Sequence, residues 1–386
     1  MICVAPYAET DDQGALPSDY REGREEASDD MHDTREEMAQ WKPLAAALQR
    51  CHDVVEPAYR AADRPAMRFQ KRRQTIAISA AIAGTIAVLL ATFDALDFSR
   101  FIVPALYFSI GVAIAFVAVL LGIATLLHVQ WMFLRHKAER FRFLKFRFLI
   151  DPHLWGDDAA ERERTVQWLT YATDKVTGLT NEELKTWTER GILPEEPPGL
   201  AGSLADAYAL YSLVDYYLTK RCRNQLRYFE RRARQFSSTD RYIKELPRLL
   251  FFGAVLAALG YFTLNLFDAY LQPQVAAAQA AATAPMITLA IVFIILAASL
   301  PVISSGVRTF RSAYQLARNT SRYKAAFEAI KLPAQRLEHH AERLYGLSVE
   351  GHATIDAYDV FRDLWRCEQI LEAEHREWLR LMMEAE

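Results

Sequence analysis

Four stretches of this chain carry no charge: Thr75–Phe93, Phe101–Leu127, Leu249–Phe267 and Met286–Val307 contain no Asp, Glu, Lys or Arg. A helix needs roughly 20 apolar residues to cross a hydrocarbon core of about 30 Å, and each stretch is that long. They fall into two pairs, each joined by a short loop. A water-soluble fold would have to bury four long helices with no polar face, which is not how globular helices are patterned. The expected fold is therefore all-α: a polytopic membrane protein with four transmembrane helices as two hairpins, the charged remainder forming a cytoplasmic helical bundle.

The flanks set the orientation. Arg68, Lys71, Arg72 and Arg73 precede the first stretch, and Arg135, Lys137 and Arg140 follow the second. Arg241, Lys244 and Arg248 precede the third, and Arg308 and Arg311 follow the fourth. The loop Asp94–Arg100 holds two acids and one Arg, and Asp268–Pro285 holds no Lys or Arg. Positive clusters mark the cytoplasmic side, so both termini and the long middle segment are expected there, in a multi-pass membrane protein. Lys71, Arg72, Arg73, Arg135, Lys137, Arg248 and Arg308 are the expected membrane-interface cations. The net charge of -3 is an average over charge-free and charge-rich blocks. Met1–Thr10 has neither a basic start nor a long apolar run, so the first span is expected to serve as its own targeting signal. Cys3, Cys51, Cys222 and Cys367 lie outside the spans, form no CxxC and read as reduced thiols with no metal role.

Four regions follow. Residues 1–33 are acidic, poor in large apolar groups and expected to be disordered. Residues 34–150 form a first two-span unit, opened by a capping box at Asp33–Glu36. Trp41, Leu44, Leu48, Cys51 and Val55 then recur at helical spacing, with Pro57 and Pro65 expected to break or kink the run. Residues 151–204 read as a helical linker, with helices over Glu161–Lys175 and from a capping box at Thr180–Glu183 to Gly191. Residues 205–386 form a second two-span unit. In it Leu210, Leu213, Val214, Tyr217, Leu218, Leu226 and Phe229 recur at three or four. A turn at Gly346–Gly351 precedes an amphipathic helix, Asp356–Met383, suited to assembly or to packing within the chain. No strand pattern is evident.

The second span runs on into RHKAERFRFLKFRFL, residues 135–149. Basic residues among aromatics suit nucleic acid. Directly after a spanning helix they suit anionic lipid better, and no nucleic-acid partner is expected.

No phosphate loop, GxSxG, HExxH or dinucleotide fingerprint occurs, so neither enzymatic activity nor a cofactor is expected. The adjacent His339 and His340 point to different helix faces and read as solvated surface. A pore instead needs polar groups inside the membrane on faces that meet. Ser79, Thr85, Ser299, Ser304 and Ser305 are the candidates, with Pro301 as a kink for a gate. Asp94, Asp97 and Asp268 would ring an outer mouth. Gly84, Gly111, Gly122, Gly253 and Gly260 permit close helix contact. Ser and Thr can equally bond their own helix backbone. The absence of charge from the spans disfavours an ion-coupled transporter.

The two hairpins look related. The first span ends Phe93-Asp94-Ala95 and the third Phe267-Asp268-Ala269, and each second span enters a basic, aromatic helix. That layout, with Gln225–Tyr228, Arg231–Arg234, Tyr314–Tyr323 and Glu374–Trp378, resembles the SLATT superfamily and the overlapping DUF4231 membrane proteins of bacteria. DRPAMRFQKRRQ and WMFLRHKAERFR in the first half resemble the two-span half found behind SLOG sensor domains. The resemblance implies a membrane effector of a bacterial antiphage or conflict system, acting as an oligomeric pore in the lipid bilayer when a nucleotide signal is sensed. The segment before Pro57 has no room for a SLOG domain. Either the chain is truncated, or its trigger comes from a separate sensor or nucleotidyltransferase partner. The competing expectation is a membrane anchor or scaffold that gathers a cytoplasmic partner through its helices.

Overall fold

The computed structural model describes residues 30–95, 103–180, 182–184, 186, 204–271, 283–313, 316–350 and 354–384. The acidic segment up to residue 29, Cys3, Asp97, Gly191, the Pro-rich stretch after it and most of the loop from Asp268 lie outside them. Helix α1 (Arg35–Gln40) starts at Thr34. The Thr34 hydroxyl accepts from the Glu37 amide while the Glu37 carboxylate accepts from the Thr34 amide. The capping box therefore sits one residue later than Asp33–Glu36. A 3₁₀ turn, Lys42–Leu44, leads into α2 (Ala45–Ala95), a helix of 51 residues. Pro57 and Pro65 lie inside α2 and do not break it. Each forfeits one hydrogen bond to the carbonyl four residues back. Val55, Tyr59, Ala62 and Ala66 around them are buried, and that packing holds the helix through both.

Helix α3 (Val103–Leu149) packs along α2. Two helices with aspartate caps follow: α4 (Pro152–Trp155) on Asp151 and α5 (Ala159–Thr177) on Asp158. The Thr180–Glu183 capping box is present. Strand β1 (Leu204–Asp206) opens the second half, followed by α6 (Ala207–Tyr217), a π-helical turn at Leu218–Cys222 and α7 (Arg223–Leu271). Helices α8 (Thr283–Ala313) and α9 (Leu316–Glu350) come next, then β2 (Thr354–Asp356) and α10 (Tyr358–Glu384). Helix α9 runs through Gly346, where a turn was expected.

The chain does contain strand. β1 and β2 pair antiparallel, Leu204 opposite Asp356 and Asp206 opposite Thr354. Each ends in an aspartate that caps the next helix: Asp206 accepts from the Ala209 amide and Asp356 from the Tyr358 amide. This short ladder clamps the starts of α6 and α10 together across 150 residues of chain and straddles the expected 204/205 boundary.

The four charge-free stretches lie in α2, α3 (from Val103 on), α7 and α8. Among the described residues, Ala115–Leu149 and Ala207–Leu266 contain windows long and apolar enough to cross a membrane, and Val292–Arg308 is a shorter apolar run. Only 12% and 11% of the two windows are buried, against the near-complete burial of a core helix in a soluble protein. Phe116, Val119 and Leu126 on α3, and Leu249, Phe252, Leu256 and Phe262 on α7, face outward. That pattern fits contact with lipid. Below these windows the flanking helices of both halves share one core. Trp41, Leu44, Leu48, Cys51 and Val55 of the N-terminal segment meet Leu210, Leu213, Val214 and Tyr217 of α6 and Phe361 and Leu364 of α10. The apolar stripe of α10 is thus consumed within the chain, against α9, α3 and α6.

Helices α7 and α8 pack tightly at two glycines. A Cβ at Gly260 would lie 3.0 Å from the Phe293 ring, and one at Gly253 would lie 3.1 Å from Leu300 Cδ1. Gly84 and Gly122 have nothing within 4 Å, so of the five glycines expected at close contacts two make one, two do not, and the surroundings of Gly111 lie outside the described residues. Gly260→Leu is expected to force Phe293 aside and destabilise the second hairpin by about 1–3 kcal/mol. Thermal unfolding in detergent checks this, with Gly84→Ala, expected to be neutral or slightly stabilising, as the control.

Candidate functional site

The candidate pore residues scatter. Ser79 and Ser305 are exposed, Pro301 is exposed within α8, and Ser299 is partly buried. Thr85 lies on α2, and Asp94 and Asp268 lie near the ends of α2 and α7. Ser304 is buried, and its hydroxyl donates to the Pro247 carbonyl of α7 at 3.3 Å. It therefore joins two helices, and it does so opposite the proline that interrupts the ladder of α7. Of the interface cations, Lys71, Arg72 and Arg308 are exposed, and Arg248 is exposed beside Glu245 on its own helix. Arg73 lies against the end of α3, its guanidinium 2.6 Å from His128 Nδ1 and 4.6 Å from the Trp131 ring. Trp131 in turn meets Trp378 of α10 edge-on at 5.6 Å.

The extension of α3 does not face lipid. Phe141, Phe143, Phe146 and Phe148 are buried, and the cations between them are paired. Arg135 lies 3.3 Å from Asp63 and 2.5 Å from Glu139. Lys137 donates to the Thr177 carbonyl at 2.8 Å. Arg140 and Arg147 both reach Glu372 of α10, at 3.3 and 2.5 Å. Arg142 pairs with Glu139 at 2.6 Å and donates to the Tyr59 hydroxyl. Basic composition predicted lipid; acids on α2, on α10 and on α3 itself claim most of these side chains instead.

These pairs extend into a buried network at the junction of the two halves. Asp30 and Asp33, on the segment before α1, are 1% and 5% exposed. The Lys145 ammonium donates to the Asp30 carbonyl at 2.8 Å and to Asp33 at 2.7 Å. The Tyr216 hydroxyl donates to Asp33 at 2.9 Å, and Asn224 and Gln225 donate to Asp30. The π-helical turn turns Lys220, Arg221 and Cys222 all inward. Lys220 reaches Glu37 at 2.6 Å. Arg221 donates from two nitrogens to the two oxygens of Glu368, at 2.9 and 3.1 Å, and Tyr217 donates to the same carboxylate at 2.7 Å. Burial raises the Asp30 acid despite Arg142 and Arg221 nearby. Cys222 and Cys367 lie side by side, sulfurs 4.0 Å apart.

Beside this network the rings of His136 and His375 stack at 5.3 Å, with Nδ1 of the first 3.1 Å from Nε2 of the second. Burial brings His375 down to about 3, with Arg135, Arg140 and Arg142 acting in the same sense and Glu139 against it. His340 is not solvated: it lies 3.0 Å from Asp363 and is largely covered. Neither the buried acids at 30 and 33 nor the π-helical turn was expected. The only sequence signal for the acids is their place in a run otherwise read as disordered.

The class of protein defined so far is a helical protein with two helices long and apolar enough to span a membrane, standing on an ion-paired bundle. No family model, curated protein or solved structure matches the chain.

Two outcomes follow from the network. Glu368→Ala strands the Arg221 guanidinium in the core and is expected to cost about 3–5 kcal/mol, whereas replacing both residues by Met recovers most of the loss; denaturant unfolding of the two variants checks this. The acid limb follows from the histidines. An unfolded histidine titrates near about 6.5 while folded His375 stays neutral to about 3. Its contribution is complete above about 6.5 and is lost as pH falls through that window, where the unfolded chain binds the extra proton. Melting temperatures between pH 7 and pH 4 are expected to fall less steeply for the His136→Phe, His375→Phe double variant than for the natural chain.

Proposed function

We propose that this chain is a four-span protein of a bacterial inner membrane, with both termini cytoplasmic, and that several copies assemble into a regulated pore or membrane-permeabilising effector of a conflict system. One observation carries the self-assembly: Gly84 and Gly122 of the first hairpin and Gly306 of the second stand bare, while Gly253 and Gly260 on α7 are filled by Leu300 and Phe293. Bare glycines on apolar helices are where another helix can approach closely in lipid. Four helices from one chain enclose little space, so a conducting path needs several copies. The resemblance to SLATT proteins supports the effector role, with a nucleotide signal or a separate sensor acting through the bundle. Control of the spans by the bundle is supported by the continuity of α3, which runs as one helix from its apolar half into the ion pairs with α10.

The scaffold reading has its own observation. A groove of about 1250 Å³ runs between α7 and α9, lined by Tyr242, Leu246, Leu249 and Phe327 with Arg241 and Lys324 at its edges. It is large enough to seat a partner segment. The engagement of Ser304 with Pro247 also favours a packing role over a gating role for that residue.

Reconstitution separates the two readings. Proteoliposomes carrying the full chain are expected to release a small entrapped dye. Gly84→Leu with Gly122→Leu is expected to lower both the cross-linked oligomer and the release. Tight vesicles at every protein density, together with a soluble protein bound stoichiometrically to the α7–α9 groove, would replace the pore with the scaffold.

A further inference from the structure

The first half of the chain brings together three metal-type donors that sequence spacing keeps apart. His32 lies on the segment before α1, between the buried acids Asp30 and Asp33. His52 and Glu56 are four residues apart on α2 and so share one face. The ligand atoms of all three lie within 4.8 Å of one another. His32 Nδ1 is 2.8 Å from Glu56 Oε1, and His52 Nδ1 is in contact with Glu56 Oε2. Glu56 is buried, its side chain 4% exposed, while the imidazoles are 46% and 40% exposed and open to solvent.

A cationic side chain already sits at this cluster. Arg60 Nη2 lies 3.1 Å from His32 Nδ1 and also contacts Glu56 Oε1. A guanidinium only donates, and it shares the Glu56 carboxylate as acceptor with the His32 ring N–H. A metal ion in its place would take two imidazole nitrogens and one carboxylate oxygen as lone-pair donors toward one point. Arg60 is 45% exposed on its own side chain and free to swing outward into a groove of about 560 Å³ that it lines with Arg64 and Arg68.

We propose that His32, His52 and Glu56 bind one divalent transition-metal ion of the zinc class, displacing the guanidinium of Arg60 that now occupies the cation position. Two histidines and a carboxylate form a zinc-type donor set with a fourth position left for water. Metal–nitrogen bonds of about 2.0–2.1 Å need the donors to close to roughly 3.4 Å, a small movement of exposed imidazoles. The ion would fasten the segment bearing Asp30 and Asp33 to α2 and so secure the acids that neutralise Lys145 and Arg142.

Zinc chloride titrated into the full chain in detergent, followed by calorimetry and by metal content after dialysis, tests this. One ion per chain is expected. His32→Ala, His52→Ala and Glu56→Gln should each weaken binding by about tenfold or more. Arg60→Ala should tighten it, the opposite of what a merely structural ion pair would give. Because His32 is exposed, the His32→Ala chain should melt like the natural one without metal, which keeps the test independent of misfolding. Absence of saturable zinc uptake, uptake unchanged in the His32→Ala and His52→Ala chains, or weaker uptake in Arg60→Ala would each overturn the proposal.

Discussion

The bidentate pair between Arg221 and Glu368 governs how the bundle closes. Both side chains are almost fully buried, at 2% and 0% exposure. Removing two charges from water costs several kcal/mol per ion, and only close geometry with every donor and acceptor used offsets it. Here the geometry depends on the π-helical turn, which adds the residue that lets Lys220 and Arg221 both face the core. It depends equally on α10, which brings Glu368, and on α6, which brings Tyr217. None of these elements can settle in another register without stranding a charge. The β1–β2 ladder starts α6 and α10 from a common point, so the pairing that fixes the bundle is prepared by three hydrogen-bonded residues on each strand.

The same reasoning explains what the sequence made legible. Periodicity is a local property, and the helices read from it are present: the Trp41–Val55 stripe, the Leu210–Phe229 stripe and most of the apolar face of α10 are buried as their spacing requires. Charge pairing is not local. Arg142 and Lys145 read as lipid-facing because their partners Asp30 and Asp33 lie more than 100 residues earlier, in a run whose composition suits disorder. A related non-local term acts on α2: whether Pro57 and Pro65 break a helix depends on the packing of Val55, Tyr59 and Ala66, which the run itself does not specify. The strands had a signal, since Asp-Ala-Tyr occurs at Asp206–Tyr208 and at Asp356–Tyr358 after a short apolar lead. It was masked by a third copy at Asp268–Tyr270, of which Asp268 begins the last turn of a helix. The candidate pore positions are the least legible, because a Ser or Thr in an apolar helix has the same sequence signature whether it lines water or, like Ser304, bonds a neighbouring backbone.

The contrast between the hairpins bears on which part of the molecule is built to change. In the second, Gly253 and Gly260 admit Leu300 and Phe293, and Ser304 reaches the Pro247 carbonyl, so α7 and α8 are joined at three levels. In the first, Gly84 and Gly122 are unfilled, as Gly306 is near the bundle end of α8, and the described polar contacts gather where Arg73, His128 and Trp131 meet. That collar is capped by Trp378 and by the backbone near the end of α10, whose Met382 carbonyl lies 3.5 Å from His128 Nε2. A displacement of α10 would therefore act on the first hairpin twice, through Glu372 on Arg140 and Arg147 and through Trp378 on Trp131. It would act on the second hairpin chiefly through Glu374 and Glu377, which face Arg322 and Arg318 on α9, beyond α8. The physical coupling runs most directly from α10 to α3, and so to the hairpin that carries the unfilled Gly84 and Gly122.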